Sequence, residues 1–367
     1  MSSRLSLKTI RPIRNGLISA LVFTTVVFSQ SIAPAQTAPS PLKDSATVAA
    51  SPINQAAIEV DSVSIPVSDM DRAVEFYTHV LSFQSVSDVE VWGTEYEKLK
   101  GVFGVRMRIV KMRLGDEKIE LIEYLTPKGK PIPIDSRSHD RWFQHIAIVV
   151  NDMDRAYQQL RRDKVQHAST APQRLPDWNK AAAGIRAFYF KDPDGHNLEI
   201  IYFPVGKGNP KWQKPSNQLF LGIDHTAIVV SNTARSLGFY RDLLGLRLAG
   251  ESINYGTEQA HLNNVEGAKL HISGLQAASG LGVEFLEYLQ PKDGRPYPAD
   301  ARANDLLSWQ TTFRVKNIRA IASLLKTHSI VHISPEVVTL PNQSLGFQKG
   351  ILVRDPDGHL IRLIEPI

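Results

Sequence analysis

VDSVSIPVSDMDRAVEFY (residues 60–77) and IDHTAIVVSNTARSLGFY (residues 223–240) align without a gap, and the match continues downstream. Trp92-Gly93-Thr94-Glu95 answers Tyr255-Gly256-Thr257-Glu258 in the same register. After a one-residue slip, KIELIEYLTP (118–127) answers GVEFLEYLQP (282–291), and KDPDGHNLEI (191–200) answers RDPDGHLIRL (354–363). A repeat of this length decides the architecture before any single residue does. Each half also carries a shorter copy of the opening: FQHIAIVVNDMDRAYQQL (143–160) and WQTTFRVKNIRAIASLL (309–325). The chain is therefore four units of about 70 to 85 residues. A connector from Gly206 to Gln218, rich in Gly, Pro, Lys and Ser, separates the halves.

Within a unit the local signals agree. The opening strand alternates or is continuously apolar, as in Ala147-Ile148-Val149-Val150. Ser68, Asn151, Ser231 and Asn317 stand where a helix N-cap belongs. Ala73, Phe76, Tyr77 and Leu81 then recur at helical spacing. Strand-like runs follow, such as Met107 to Met112 and Ile119 to Tyr124, and each half closes on an Asp-Pro-Asp-Gly turn, Asp192 to Gly195 and Asp355 to Gly358. The predicted fold class is α+β, with four βαβββ modules paired within each half into two tandem domains, 57–205 and 222–367, joined by a linker at 206–221.

Composition narrows the function classes. The 367 residues include no cysteine, which excludes disulfides, thiolate metal sites and cysteine nucleophiles. Arg4, Lys8, Arg11 and Arg14 precede an apolar run from Gly16 to Phe28 and an Ala33-Pro-Ala35 pattern. That order reads as a signal peptide over 1–35 cleaved near Ala35, so export to a periplasmic or extracellular space is expected. The run is short for a membrane span, and an anchored form is the alternative. Residues 36–56 read as a disordered Ala/Pro/Ser/Thr spacer. Four cations of the formal +5 lie in the leader with no acid, so the remainder is close to neutral. Neither nucleic acid nor a membrane is an expected partner of the mature form; a small molecule is.

The opening strand, the D-x-x-R-A-x-x-F-Y helix, the I-E-L strand and the late D-P-D-G-H-x-L-E together resemble the vicinal oxygen chelate superfamily, which includes glyoxalase I, methylmalonyl-CoA epimerase, extradiol dioxygenases and the bleomycin and fosfomycin resistance proteins. The resemblance covers about residues 57–205 and 222–367. It implies modules paired into cups of eight strands that hold a divalent metal (Fe, Mn, Ni, Zn or Co), with ligands on the first and last strands of each module. In the first half those positions are Ser62, Glu120, His145 and Glu199; in the second they are His225, Glu284, Thr311 and Arg362.

On that pairing, Glu120, His145 and Glu199 are the expected metal ligands, with Glu120 or Glu199 as the proton-moving catalytic carboxylate. Two inward carboxylates in one cavity repel, and a dication removes the conflict. Ser62 is the departure, since the family's metal enzymes usually carry His or Gln there. It argues against an extradiol dioxygenase, which needs two His and one carboxylate. In the second half Arg362 disfavours a metal, so a Glu284–Arg362 ion pair, or a substrate-binding set of Arg362, His225 and Glu284, is expected.

The remaining motifs carry blander expectations. Glu123 and Glu287 belong on the opposite strand face, solvated. His196 and His359 read as turn residues. His261 and His271 fit either the second cavity or a surface strand. Trp92 with Tyr255, and Trp142 with Trp309, read as core or pocket wall. The connectors Pro127 to Arg141 and Pro291 to Asp305 share P-x-P-x-D-x-R and read as stiff crossovers, with a rim role for Arg137 as the alternative. The expected function is a metal-dependent lyase or isomerase acting on a small oxygenated molecule. The alternative is a non-catalytic binding protein of the bleomycin-resistance type.

Overall fold

The computed structural model describes residues 57–366; the expected leader and spacer lie outside them. Four modules follow one another. The first comprises β1 (Ala57–Val67), α1 (Met70–His79), β2 (Gln84–Trp92), α2 (Thr94–Lys100), β3 (Arg106–Leu114) and β4 (Glu117–Thr126). The second comprises β5 (Phe143–Val150), α3 (Met153–Arg162), the short β6 (Gln166–His167) and β7 (Gln173–Arg174), β8 (Arg186–Lys191) and β9 (Asn197–Tyr202). The third comprises β10 (Phe220–Val229), α4 (Thr233–Leu237) running on into a π-helical Gly238–Leu243, β11 (Arg247–Tyr255), α5 (Thr257–Asn263), β12 (Lys269–Gln276), β13 (Ser279–Gly280) and β14 (Gly282–Gln290). The fourth comprises β15 (Gln310–Val315), α6 (Ile318–Thr327), β16 (Val338–Thr339), β17 (Lys349–Arg354) and β18 (Leu360–Glu365).

The α+β modules are as expected, but their pairing is not. One sheet runs β16-β17-β18-β15-β1-β4-β3-β2 and the other β11-β12-β14-β10-β5-β9-β8-β6. The first module is thus joined to the fourth through β1 and β15, and the second to the third through β5 and β10, both antiparallel. The halves do not each close their own cup, and the described residues 57–366 belong to one compact unit rather than two. The two Pro-rich connectors, which carry the chain between the sheets, bind each other. Lys130 N–H donates to Asp305 Oδ1 at 2.8 Å, Arg295 bridges Asp135 and Asp140, and Arg137 pairs with Asp293 at 2.9 Å.

Helices α1, α3 and α6 bury one face each, through Met70, Ala73 and Tyr77, Met153, Ala156 and Leu160, and Ile318, Ile321 and Leu325. These side chains join the backs of the sheets in the main core. Three N-caps fall one residue later than expected. Asp69, Asp152 and Asn232 accept the capping bond, while Asn317 caps as predicted. Glu123 and Glu287 do lie on the helix side of their strands. Instead of being solvated, they accept backbone N–H bonds at helix starts from Met70 and Thr233.

The expected turn histidines are interior. His196 and His359 are buried, each with Nδ1 2.8 Å from Asp192 or Asp355, whose other oxygen accepts backbone N–H bonds of the turn. Trp142 and Trp309 are core as read, but Trp92 and Tyr255 are 63% and 47% exposed, so they form no core. His261 is exposed on α5, and His271 lies on β12 with Nε2 2.9 Å from Glu251.

Candidate metal centre

The cross-pairing redistributes the expected site residues. In the second sheet β10 and β5 run antiparallel with Ala227 opposite His145 and His225 opposite Ala147, so the two histidines sit diagonally across the join. Parallel pairing sets Glu284 beside Ala227 and Glu199 beside Ala147. Side chains alternate along a strand, so all four project from one face. One ligand atom from each of His145, His225 and Glu284 lies within 4.8 Å of the other two. Glu199 Oε2 is 2.9 Å from His145 Nε2 and 3.7 Å from His225 Nε2.

His145, Glu199, His225 and Glu284 therefore converge, and Glu120 does not join them. Glu120 lies in the other sheet, where Arg362 Nη2 binds its carboxylate at 2.5 Å and Ser64 Oγ donates to it at 2.9 Å. The ion pair expected between Arg362 and Glu284 is made by Arg362 and Glu120. His225 and Glu284, expected to form a metal-free binding set with Arg362, face His145 instead. The Ser62 objection also lapses, since the partner of His145 is His225.

The ring nitrogens are set for a ligand. His145 Nδ1 hydrogen-bonds the Gln144 side-chain oxygen, and His225 Nδ1 lies 3.0 Å from Asp224 Oδ2. With each Nδ1 engaged, Nε2 is the ring nitrogen that each histidine directs inward. Both Nε2 atoms are buried; that of His225 has no hydrogen-bond partner among the described residues, and that of His145 meets only the Glu199 carboxylate oxygen at 2.9 Å. A buried polar atom without a partner is costly, so the His225 nitrogen marks where something polar belongs.

Charge points the same way. Burial alone would lower the His225 imidazolium, but Glu284, Asp224 and Glu199 outweigh it and raise it to about 10. Burial pushes the Glu284 carboxyl up, with Glu199 and Asp224 adding to the rise and His225 and His145 opposing it. Crowded carboxylates beside imidazoles are a cation site. Two imidazoles and two carboxylates suit a divalent first-row metal.

Support comes from elements far apart in sequence. Trp212 in the linker donates its indole N–H to Asp224 Oδ1 at 2.5 Å, holding the carboxylate that orients His225. Lys211 next to it pairs with Glu117, whose other oxygen accepts the Ile223 N–H at 3.1 Å. Gly222 is needed here, because a Cβ would run into the Glu117 carboxylate and the Trp212 ring. On the other wall, the Tyr189 ring lies 4.9 Å from that of His145. Trp212, Asp224 and Tyr189 are absent from the sequence-level candidates. Their one legible signal is that Asp224 precedes His225 as Gln144 precedes His145.

The two cups differ in what fills them. The concave side of the first sheet is packed by Tyr96, Leu99, Met107, Leu345, Phe347 and neighbours. Beside the second sheet, a cavity of about 460 Å³ is lined by His225, Glu284, Asp224, Lys211 and Trp212, among others. Another of about 450 Å³ is lined by His139, Lys191, Asn197 and Asn263, among others.

A model of the Glyoxalase/Bleomycin resistance protein/Dioxygenase superfamily matches residues 59–200 and again 222–363. The chain belongs to that superfamily. A curated relative, 2-epi-5-epi-valiolone epimerase from Actinomyces sp., is 35% identical over 157 residues, covering 41% of this chain and 82% of its own length. Glyoxalase I from Zea mays superposes with a TM-score of 0.55 at 16% identity, covering 84% of this chain and 92% of that one. A putative dioxygenase from Bacillus subtilis superposes with a TM-score of 0.52 at 13% identity, covering 85% and 86%. At such identities the two structures share the fold with this chain, and the similarity extends no further.

Proposed function

We propose that the cup formed by the second and third modules is a divalent-metal centre of an isomerase that moves a proton on a small oxygenated molecule. The carrying observation is the convergence of the buried Nε2 atoms of His145 and His225 on the carboxylates of Glu199 and Glu284. His145, His225 and Glu284 would hold the metal, which when bound polarises a substrate carbonyl and acidifies the adjacent C–H. Glu199, beside both imidazoles but outside that three-atom cluster, removes the proton from one face of the carbon. A proton delivered to the opposite face, by water or a second acid there, inverts the centre while Glu199 keeps the one it took. Kinship with an epimerase supports this reaction class.

Metal analysis tests the reading. The purified protein is expected to hold about one divalent ion per chain, lost in His225→Ala and retained in Glu199→Gln. Retention in Glu120→Gln separates this cup from the other one. An ion that survives His225→Ala but leaves with Glu120 would reverse the assignment.

A second reading rests on the same cluster. Two His and one Glu also make the facial set of a non-haem iron oxygenase. Oxygen uptake by the iron-loaded protein with a catechol would favour it over proton transfer.

A further inference from the structure

We infer that the cavity between α5 and the β8–β9 hairpin is the substrate subsite of this cup, built for a neutral, polyhydroxylated molecule; this deepens the isomerase reading and rests on it. Helix α5 lies across the cup. Leu262 packs on Ala187 and Tyr189, and Ser169 Oγ donates to the Leu262 carbonyl at 2.6 Å. One turn apart on its inner face, Gln259 and Asn263 hydrogen-bond each other through their amides. The pair leaves one unpaired end on each residue, Gln259 Oε1 and Asn263 Nδ2, both buried. Exchanging O and N in both amides still leaves one donor and one acceptor.

Across the cavity, Asn197 stands two residues before Glu199 on β9, on the same strand face and about 7 Å along it. Its Oδ1 is also buried without a partner, as is Nδ1 of His139 in the cavity wall. Of these groups Asn197, Asn263 and His139 line the cavity, so its wall offers an unpaired donor beside unpaired acceptors, two residues along β9 from Glu199. A hydroxyl both gives and takes a hydrogen bond, whereas a carboxylate or phosphate only accepts. Arg137 in this wall is already paired with Asp293 and Asp140, which leaves the ammonium of Lys191 as its cation.

The corresponding positions in the other cup are Tyr96 and Lys100 on α2, the equivalent helix. There the cup is filled with apolar side chains. The amide pair thus belongs to the open cup.

Calorimetric titration of the full-length protein, with and without Mn²⁺, uses myo-inositol as the polyol, cyclohexanol as its hydroxyl-poor counterpart and inorganic phosphate as the anion. Inositol is expected to bind in the millimolar range and cyclohexanol at least tenfold more weakly. Asn263→Leu and Asn197→Leu should each weaken inositol about tenfold at unchanged Mn²⁺ affinity, and Lys191→Met should change it less than twofold. Unchanged Mn²⁺ affinity also shows that a variant is folded, and Asn197→Leu stands in if Asn263→Leu is not. The proposal is overturned if wild type fails to bind inositol, if cyclohexanol binds as well, or if phosphate binds more tightly and Lys191→Met abolishes it. Loss of Mn²⁺ binding in wild type with inositol binding intact would sink the metal reading and leave the subsite standing.

Discussion

Arg362 and Glu199 hold the same position in their repeats, RDPDGHLIRL and KDPDGHNLEI, and this exchange separates the two cups. Arg362 is 1% exposed, paired with Glu120 and 3.0 Å from Thr312 Oγ1 through Nε. Burial alone would raise the Glu120 carboxyl, but Arg362, Lys111 and Lys100 hold it below its usual range. That cup therefore carries its own counter-charge, whereas the other presents the residues proposed to hold a metal. Lys100, also 1% exposed, donates to Gln310 Oε1 at 2.7 Å. Burial and Arg362 pull its ammonium down to about 7 against the opposing pull of Glu120. The unfolded chain, with an ordinary lysine value near 10.4, then holds the proton across the interval above 7 where the folded chain has lost it. Stability conferred through this residue must rise with pH over that interval. Lys100→Met is expected to raise the melting temperature by a few degrees at pH 7, with the gain shrinking toward pH 10. Thermal melts across pH check this, and a gain that stayed constant would contradict it.

At the scale of elements, the linker between the halves works as a strap. Sequence composition marked Gly206 to Gln218 as a connector, and nothing in it signalled that Trp212 reaches Asp224 or that Lys211 reaches Glu117. Through this strap the β3–β4 hairpin of the first sheet braces the strand that carries His225. Groups that orient a metal-bound imidazole commonly contribute 10- to 100-fold to affinity. Asp224→Asn is accordingly expected to weaken Mn²⁺ or Zn²⁺ binding by about that factor while leaving the melting temperature of the metal-free protein nearly unchanged. Trp212→Phe should have a smaller effect in the same direction. Affinity measured with a competing chelator decides it; unaltered binding in Asp224→Asn would leave the strap a purely structural brace. Elements that read correctly from sequence were those with a strong local period, such as α1, α3 and α6. The N-caps shifted by one residue because Ser-Asp, Asn-Asp and Ser-Asn each offer two capping residues in succession, and local pattern does not choose between them.

At the scale of the whole molecule, neither repeat half contains a complete cup. His145 and Glu199 come from one half, His225 and Glu284 from the other. Residues 57–205 expressed alone would expose the edges of β1 and β5 that β15 and β10 cover in the intact chain. Each half alone is expected to aggregate or to dimerise through those edges, and to bind no metal with native affinity. Co-expression of 57–205 with 206–367 should restore one ion per pair. Size-exclusion chromatography with metal analysis reads both outcomes, and a monomeric, metal-binding first half would refute the shared-cup arrangement.

Repeat and strand–helix order were legible in the chain, because periodicity and turn chemistry are local. His145, Glu199, His225 and Glu284 were each placed as inward ligand positions by the family resemblance. Which of them meet is a different question. Four copies of one module offer equivalent edges, and local pattern does not say which edges join. That choice belongs to the crossed Pro-rich connectors and to the β5–β10 register, which bring residues 80 positions apart into one cluster and leave Glu120 to Arg362.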